Sequence, residues 1–226
     1  MIEGKVSKKL FDTFGRELAK QNLIEKEGTI IDATIVEAPI QHNSKEENEQ
    51  IKQGEMPQGL QGEKHKAKLC QKDRDARWTK KHNRSYFGYK DHVKTDVKSK
   101  FILKATVTAA NVHDSQEVKP LTKKGDNILY GDSAYIGEGI GKILKKKEIE
   151  GRICERSYRN KPLTQEQKES NREKLRIRAR VEHVFGFMTN TMKGLYVRTI
   201  GLARATFSII MMNLTYNLCR YCVLKK

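Results

Sequence analysis

An α/β fold, a mixed sheet covered by helices, is the architecture this sequence predicts, and three observations point to it. A β-branched run at residues 28–38 and two further runs at 86–97 and 101–110 read as consecutive strands. Shorter apolar runs at 127–130 and 151–155 alternate with segments of helical period. Two long amphipathic stretches then close the chain. Strands in succession, strand and helix in alternation, and finally helices describe one sheet with helices packed on it.

Taken in order, residues 1–23 read as a short helix whose Val6, Leu10, Phe14 and Leu18 make one apolar stripe. The strand at 28–38, GTIIDATIVEA, carries an Asp at its centre. Residues 41–63 are polar, with Ile51, Met56 and Leu60 as the only aliphatic or sulfur-bearing side chains, and the expectation is a mobile loop insertion. A tight turn at 98–100 joins the next two strands. A helix over 115–123, the strand at 127–130, a basic helix at 140–147 and the strand at 151–155 follow. The longest helix is expected to start at Thr164, whose hydroxyl and the Gln167 side chain form a capping box. Its apolar positions run through Ile177, Val181, Val184, Phe185, Met188 and Met192, and Gly194 is the expected terminator. A last amphipathic helix spans about 202–224, and no internal repeat is present.

The charge balance narrows the partner. Forty-five Lys and Arg against 28 Asp and Glu give a formal charge of +17, an excess that opposes compaction and suits a polyanion. A membrane surface fits poorly. The most apolar stretch, 202–224, is interrupted by Arg204, Asn213, Asn217 and Arg220, whereas a spanning helix needs about 20 predominantly apolar residues. The start of the chain has no sustained apolar core, and the expectation is a cytoplasmic protein. Cys70, Cys154, Cys219 and Cys222 fit reduced thiols, and the Cys219/Cys222 pair lacks the second ligand pair of a structural zinc site. These two read as small thiols buried on an apolar helix.

Three carboxylates carry the chemistry. Asp32 stands mid-strand, where Asp is disfavoured, and a buried carboxylate needs a partner or a metal. Its plainer role is a structural hydrogen-bond acceptor. Asp132 follows a strand directly, after Gly131, and its plainer role is a helix N-cap. Glu182 lies at the edge of the long helix's apolar stripe, and its plainer role is an i,i+4 pair with Arg178. Two acids on neighbouring strands and one on a facing helix together form the clamp that phosphodiester chemistry needs, with two ions about 3.5–4 Å apart. Hard oxygen ligands suit Mg²⁺.

The segments IIDATIVEAP, YFGYKDHVKTDVKSKFILKATVTAANVHDSQ, YGDSAY and RARVEHVFG resemble those of bacterial insertion-sequence transposases of the DDE type, above all the group named after insertion sequence five. The resemblance runs from about Gly28 to the C-terminal helix. It implies a ribonuclease H-like mixed sheet flanked by helices, with Asp32, Asp132 and Glu182 as the three acids holding two Mg²⁺ ions and Mn²⁺ as a substitute. It also implies duplex DNA, both transposon ends and target, as partner, and a homodimer as the active form. In these terms residues 1–27 are a remnant of the family's longer N-terminal helical region, and 28–226 are the catalytic domain with an insertion at about 41–63. Along the third-acid helix the family shows Tyr, Arg, Glu and Lys. Here Arg178 and Glu182 match, while Leu175 and Thr189 stand at the Tyr and Lys positions. Lys193, within about 20° of Glu182 by the helical period, is the expected replacement as a phosphate ligand.

Residues 64–104 hold fourteen Lys and Arg against four Asp, a run that reads as a DNA-backbone surface or as a solvated face. Arg172, Arg176, Arg178 and Arg180 add cations near Glu182. Trp78, Tyr86, Phe87 and Tyr89 divide between base stacking and ordinary strand packing. Lys90 and His92 share a strand face and are expected to point at the acids. His113 and Asp114 are read as loop caps or as accessory site residues. The functional expectation is Mg²⁺-dependent strand cleavage followed by strand transfer. A nuclease without strand transfer and a non-catalytic DNA-binding remnant are the alternatives.

Overall fold

The computed structural model describes residues 6–225. The expected N-terminal helix is therefore seen from Val6, and residues 1–5 lie outside the described residues. Helix α1 spans Val6–Lys20. It buries Ser7, Phe11 and Leu18 and leaves Leu10 47% exposed. The larger Phe11 thus takes the inward position, on a stripe rotated from the one expected.

Six strands form one mixed sheet: β1 Thr29–Glu37, β2 Arg77–Lys81, β3 Arg84–Asp96, β4 Ile102–Ala109, β5 Ile128–Gly131 and β6 Glu150–Ile153. The order is β2-β3-β1-β5-β6, with β4 also paired to β3. β1 runs antiparallel to β3 and parallel to β5, and β5 runs parallel to β6. This is the mixed sheet flanked by helices that the sequence predicts, consistent with a ribonuclease H-like domain.

Alternation along β1 sorts its side chains to two faces. Ile30 joins Val93, Val181, Val184, Met188, Ile210 and Leu214 in one apolar cluster. It is covered by α6 (Gln165–Gly186) and α7 (Leu202–Leu224). Ile31 joins Val118, Leu121, Leu129, Tyr135 and Ile140 in the other, under α4 (Val118–Leu121) and α5 (Glu138–Lys146). No helix among the described residues is long and apolar enough to cross a membrane.

Three departures from expectation have physical causes. The segment at 41–63 is partly helical: α2 (Lys45–Lys52) starts at a Ser44 cap whose hydroxyl accepts the Glu47 N–H while the Glu47 carboxylate accepts the Ser44 N–H. That reciprocal pair is a capping box, and the buried Ile51 and Leu60 anchor the segment. A short helix, α3 (Lys66–Cys70), follows. Strand β2 was not expected either. It forms a hairpin with β3 through His82 and Asn83, both left-handed, the conformation of a two-residue turn that matches strand twist.

The third departure is at the end of the long helix. Thr164 and Gln167 make the expected capping box, but after Gly186 the chain runs as a π-helical turn over Phe187–Thr191. The Thr189 hydroxyl donates to the Phe185 carbonyl there, a side-chain bond that opens the helical ladder. The left-handed residue that stops the helix is Lys193, with φ 49°, and the Gly194 N–H closes on the Met188 carbonyl. Gly194 therefore stands one position beyond the reversal it was expected to make. Among the cysteines, Cys154 is buried, Cys219 half-buried, and Cys70 and Cys222 exposed. Cys222 sits on the solvent side of α7, contrary to the buried position expected.

Candidate active site

Asp32 and Asp132 come together through strand register. Thr29 pairs with Leu129 and Ile30 with Tyr130, and two more steps along the same register set Asp32 beside Asp132. The parallel pairing of β1 and β5 thus places Asp132, just past the end of β5, beside Asp32 in the middle of β1. Helix α6 packs across β1 and β5 and brings Arg178 and Glu182 over them.

Arg178 is the hub. One terminal guanidinium nitrogen donates to Asp32 Oδ2 at 3.1 Å and the other to Glu182 Oε1 at 3.2 Å. The arginine and Asp32 are largely buried, with side chains 18% and 13% exposed, while Glu182 is 59% exposed. The i,i+4 pair anticipated for Glu182 therefore exists, and the same guanidinium also ties it to the first acid. Asp32 Oδ1 accepts the Ala33 N–H, and Asp132 Oδ1 accepts the Ala134 N–H, so Asp132 also caps the turn at Ser133–Tyr135.

The electrostatics record the crowding. Burial pushes the Asp32 carboxyl up to about 6; Arg178 and the Ala33 N–H oppose that shift, and the charges of Asp132 and Glu182 add to it. Three carboxylates thus feel one another with a single guanidinium joining two of them. Their donors are all hard oxygens, and the group is short of positive charge, which fits a divalent cation. With Arg178 between Asp32 and Glu182, no three His, Cys, Asp or Glu side chains among the described residues stand close enough to share one ion.

Lys90 and His92 do not reach this group. In the antiparallel register Asp32 faces Val93, while Ala33 faces His92 and Ile35 faces Lys90. Both side chains therefore project from the opposite face of the sheet. Lys90 Nζ donates to Asp114 Oδ1 and to the Val112 carbonyl, each at 2.8 Å. His92 is fully buried, its Nε2 2.8 Å from Thr108 Oγ1 and its Nδ1 3.9 Å from Asp114. Burial lowers its pKa to about 4, against the pull of Asp114, which keeps the ring neutral. Asp114 is thus the anchor of a polar cluster under the sheet. His113 caps the turn that begins at Asp114, accepting the Ser115 N–H.

Arg176 is exposed on α6, about 120° round the helix from Glu182. The helical projection that put Lys193 on the Glu182 face does not apply, because a π-helical turn and a left-handed residue intervene. Lys193 is exposed just beyond the helix end.

Tyr135 was overlooked in the sequence although it closes the YGDSAY segment. It is 1% exposed with its hydroxyl unpartnered. Burial and the charges of Asp32, Asp114 and Asp132 hold that hydroxyl firmly protonated. Its spacing three residues after Asp132 is the one signal that marked it.

A family model described as "Transposase DDE domain" matches residues 24–218. No solved structure matches the chain.

Proposed function

This chain belongs to the transposase DDE domain family, and from that premise we propose that it cleaves DNA at transposon ends and joins the freed strand to target DNA. Water would attack the end phosphodiester and release a 3′-hydroxyl. That hydroxyl would then attack the target strand with no covalent protein–DNA intermediate. The observation that carries this reading is that Asp132, just past the end of β5, comes beside Asp32 in the middle of β1, with Arg178 joining Asp32 to Glu182.

Asp32, Asp132 and Glu182 would hold two Mg²⁺ ions, or Mn²⁺ in their place. Bound there, the metal supplies charge stabilisation for the attacking and leaving oxygens. The chain's own groups prepare for that. The Ala33 and Ala134 N–H groups fix one oxygen each of Asp32 and Asp132, which leaves Asp132 Oδ2 to face a ligand while Asp32 Oδ2 is held by Arg178. Arg178 orients Glu182, and its guanidinium is of the kind that would hold a phosphate oxygen beside the acids. Action on two ends suits a homodimer, and the motif segments resemble those of the group named after insertion sequence five.

The test is a set of near-isosteric substitutions. Asp32→Asn, Asp132→Asn and Glu182→Gln each remove a charge and keep the shape. Each is expected to lower Mg²⁺-dependent nicking and strand joining on a duplex carrying the element's end, by on the order of a thousandfold or more. Binding of that duplex in a chelator should persist. Wild-type cleavage rates in any of the three variants would remove that residue from the catalytic set. Nicking without joining by the wild-type chain would reduce the activity to that of a nuclease.

A further inference from the structure

The fourteen cations of residues 64–104 do not form one surface. Lys94 is buried against Asp126, and Lys90 is held by Asp114. Lys72 Nζ is bound to the His42 carbonyl and Asn43 Oδ1. The Arg77 guanidinium donates to the carbonyls of Arg74, Ala76 and Ile51, which fastens β2 to α2. These four are structural and cannot serve a ligand without breaking the fold.

Of the exposed cations left without an ion pair among the described residues, Lys64 and Lys68 lie on the segment before the hairpin and four lie on the β2–β3 hairpin or at its base. Lys80, Lys81 and Arg84 are exposed, as is Arg74 at its base, and none of the four forms an ion pair with a described residue. Residues 77–90 contain no Asp or Glu. Two aromatic rings lie among the cations: Trp78, 42% exposed, leans on Phe87 with ring centres 5.3 Å apart, and the Arg84 guanidinium sits 5.1 Å over Tyr86.

The hairpin also points the right way. Asp32 pairs with Val93 on β3, and β3 continues past the end of β1 at Glu37, which faces Gly88. Phe87 is six residues and Arg84 nine residues back from Val93, or about 20 and 30 Å along a strand rising about 3.3 Å per residue. In duplex DNA rising about 3.4 Å per step this is about 6–9 base pairs, less than one helical turn. A duplex held at the acids is therefore within reach of the hairpin along β3.

We infer that the β2–β3 hairpin is a DNA-gripping arm: a duplex groove takes the two-stranded ribbon, Trp78 and Lys80 on one face and Tyr86, Lys81 and Arg84 on the other meet the backbones that flank it, and Arg74 adds a contact at the base. The inference rests on the transposase reading, with charge complementarity committing it to nucleic acid.

The test is salt-dependent binding of a random-sequence duplex of about 30 base pairs to the full chain in a chelator, from about 50 to 200 mM salt. The triple variant K80A/K81A/R84A is compared with K142A/K145A/K146A, which removes the same charge from α5. Each lost phosphate contact flattens the slope of log affinity against log salt by about 0.9, so the hairpin variant should lose about 2.7 and the α5 variant less than about one contact's worth. Equal slopes in the two variants, with the wild type binding, would overturn the arm and leave the catalytic reading intact. A wild-type chain that does not bind the duplex at all would overturn both.

Discussion

Asp91 shows how much a single buried group can cost at neutral pH. It is fully buried on the α7 side of β3, and one oxygen accepts the Asn213 amide at 3.1 Å. Its other oxygen and Asn213 Oδ1 have no partner. Burial raises the Asp91 carboxyl to about 7, with the Asn213 hydrogen bond opposing the shift. A proton on that carboxyl gives it a hydrogen to donate, and Asn213 Oδ1 is an acceptor on a side chain already in contact. Between the ordinary carboxylate range and pH 7 the folded chain then holds a proton that the unfolded chain releases. Stability from this group is therefore lost as pH rises through that window. Asp91→Asn carries its amide hydrogens at every pH. The variant should match the wild type near pH 4.5 and exceed it at pH 8 by up to about 3 kcal/mol, read from thermal melts. A stability difference that does not change with pH would show that Asp91 is not protonated in the fold.

At the scale of elements, Gly88 is where β3 leaves the sheet core and becomes the hairpin. Its φ is +154°, and a Cβ placed there would lie 2.2 Å from the Val36 carbonyl oxygen. Neither the backbone conformation nor the space admits a side chain. Gly88→Ala should cost about 2 kcal/mol or more, measured by denaturant unfolding, and should loosen protease resistance first in the hairpin. An alanine chain with unchanged midpoint and digestion pattern would mean that β1 yields readily at Val36. The same strand shows why period alone misplaced Lys90 and His92: alternation says that they share a face but not which face. Helix α6 gives the converse case, since its start is set by two side chains three apart while its end depends on the Thr189 hydroxyl and a π-helical turn.

For the molecule as a whole, a formal charge of +17 over 226 residues makes self-repulsion a general cost of folding. Melting temperature should rise as salt increases toward about 0.2 M, because screening lengths then fall below about 10 Å. It should rise further when duplex DNA is added at low salt, since a ligand of the folded state stabilises by mass action. A melting temperature that falls with salt would mean that the ion pairs outweigh the repulsion. The sequence by itself determined the mixed sheet and five of its six strands and the capping of the long helix, and it showed a charge excess that suits a polyanion and singled out three acids as candidates, all legible because they rest on local pattern or on residue type. Only the tertiary structure decided that Arg178 bridges Asp32 and Glu182, that Lys90 and His92 serve Asp114 on the other face, and that four exposed cations lie on or at the base of a hairpin no periodicity announced. Those outcomes are set by strand register and by which charges meet across 22 to 146 residues of chain, and the physical reason they escape the sequence is that a charged side chain is committed by its partner, not by its neighbours.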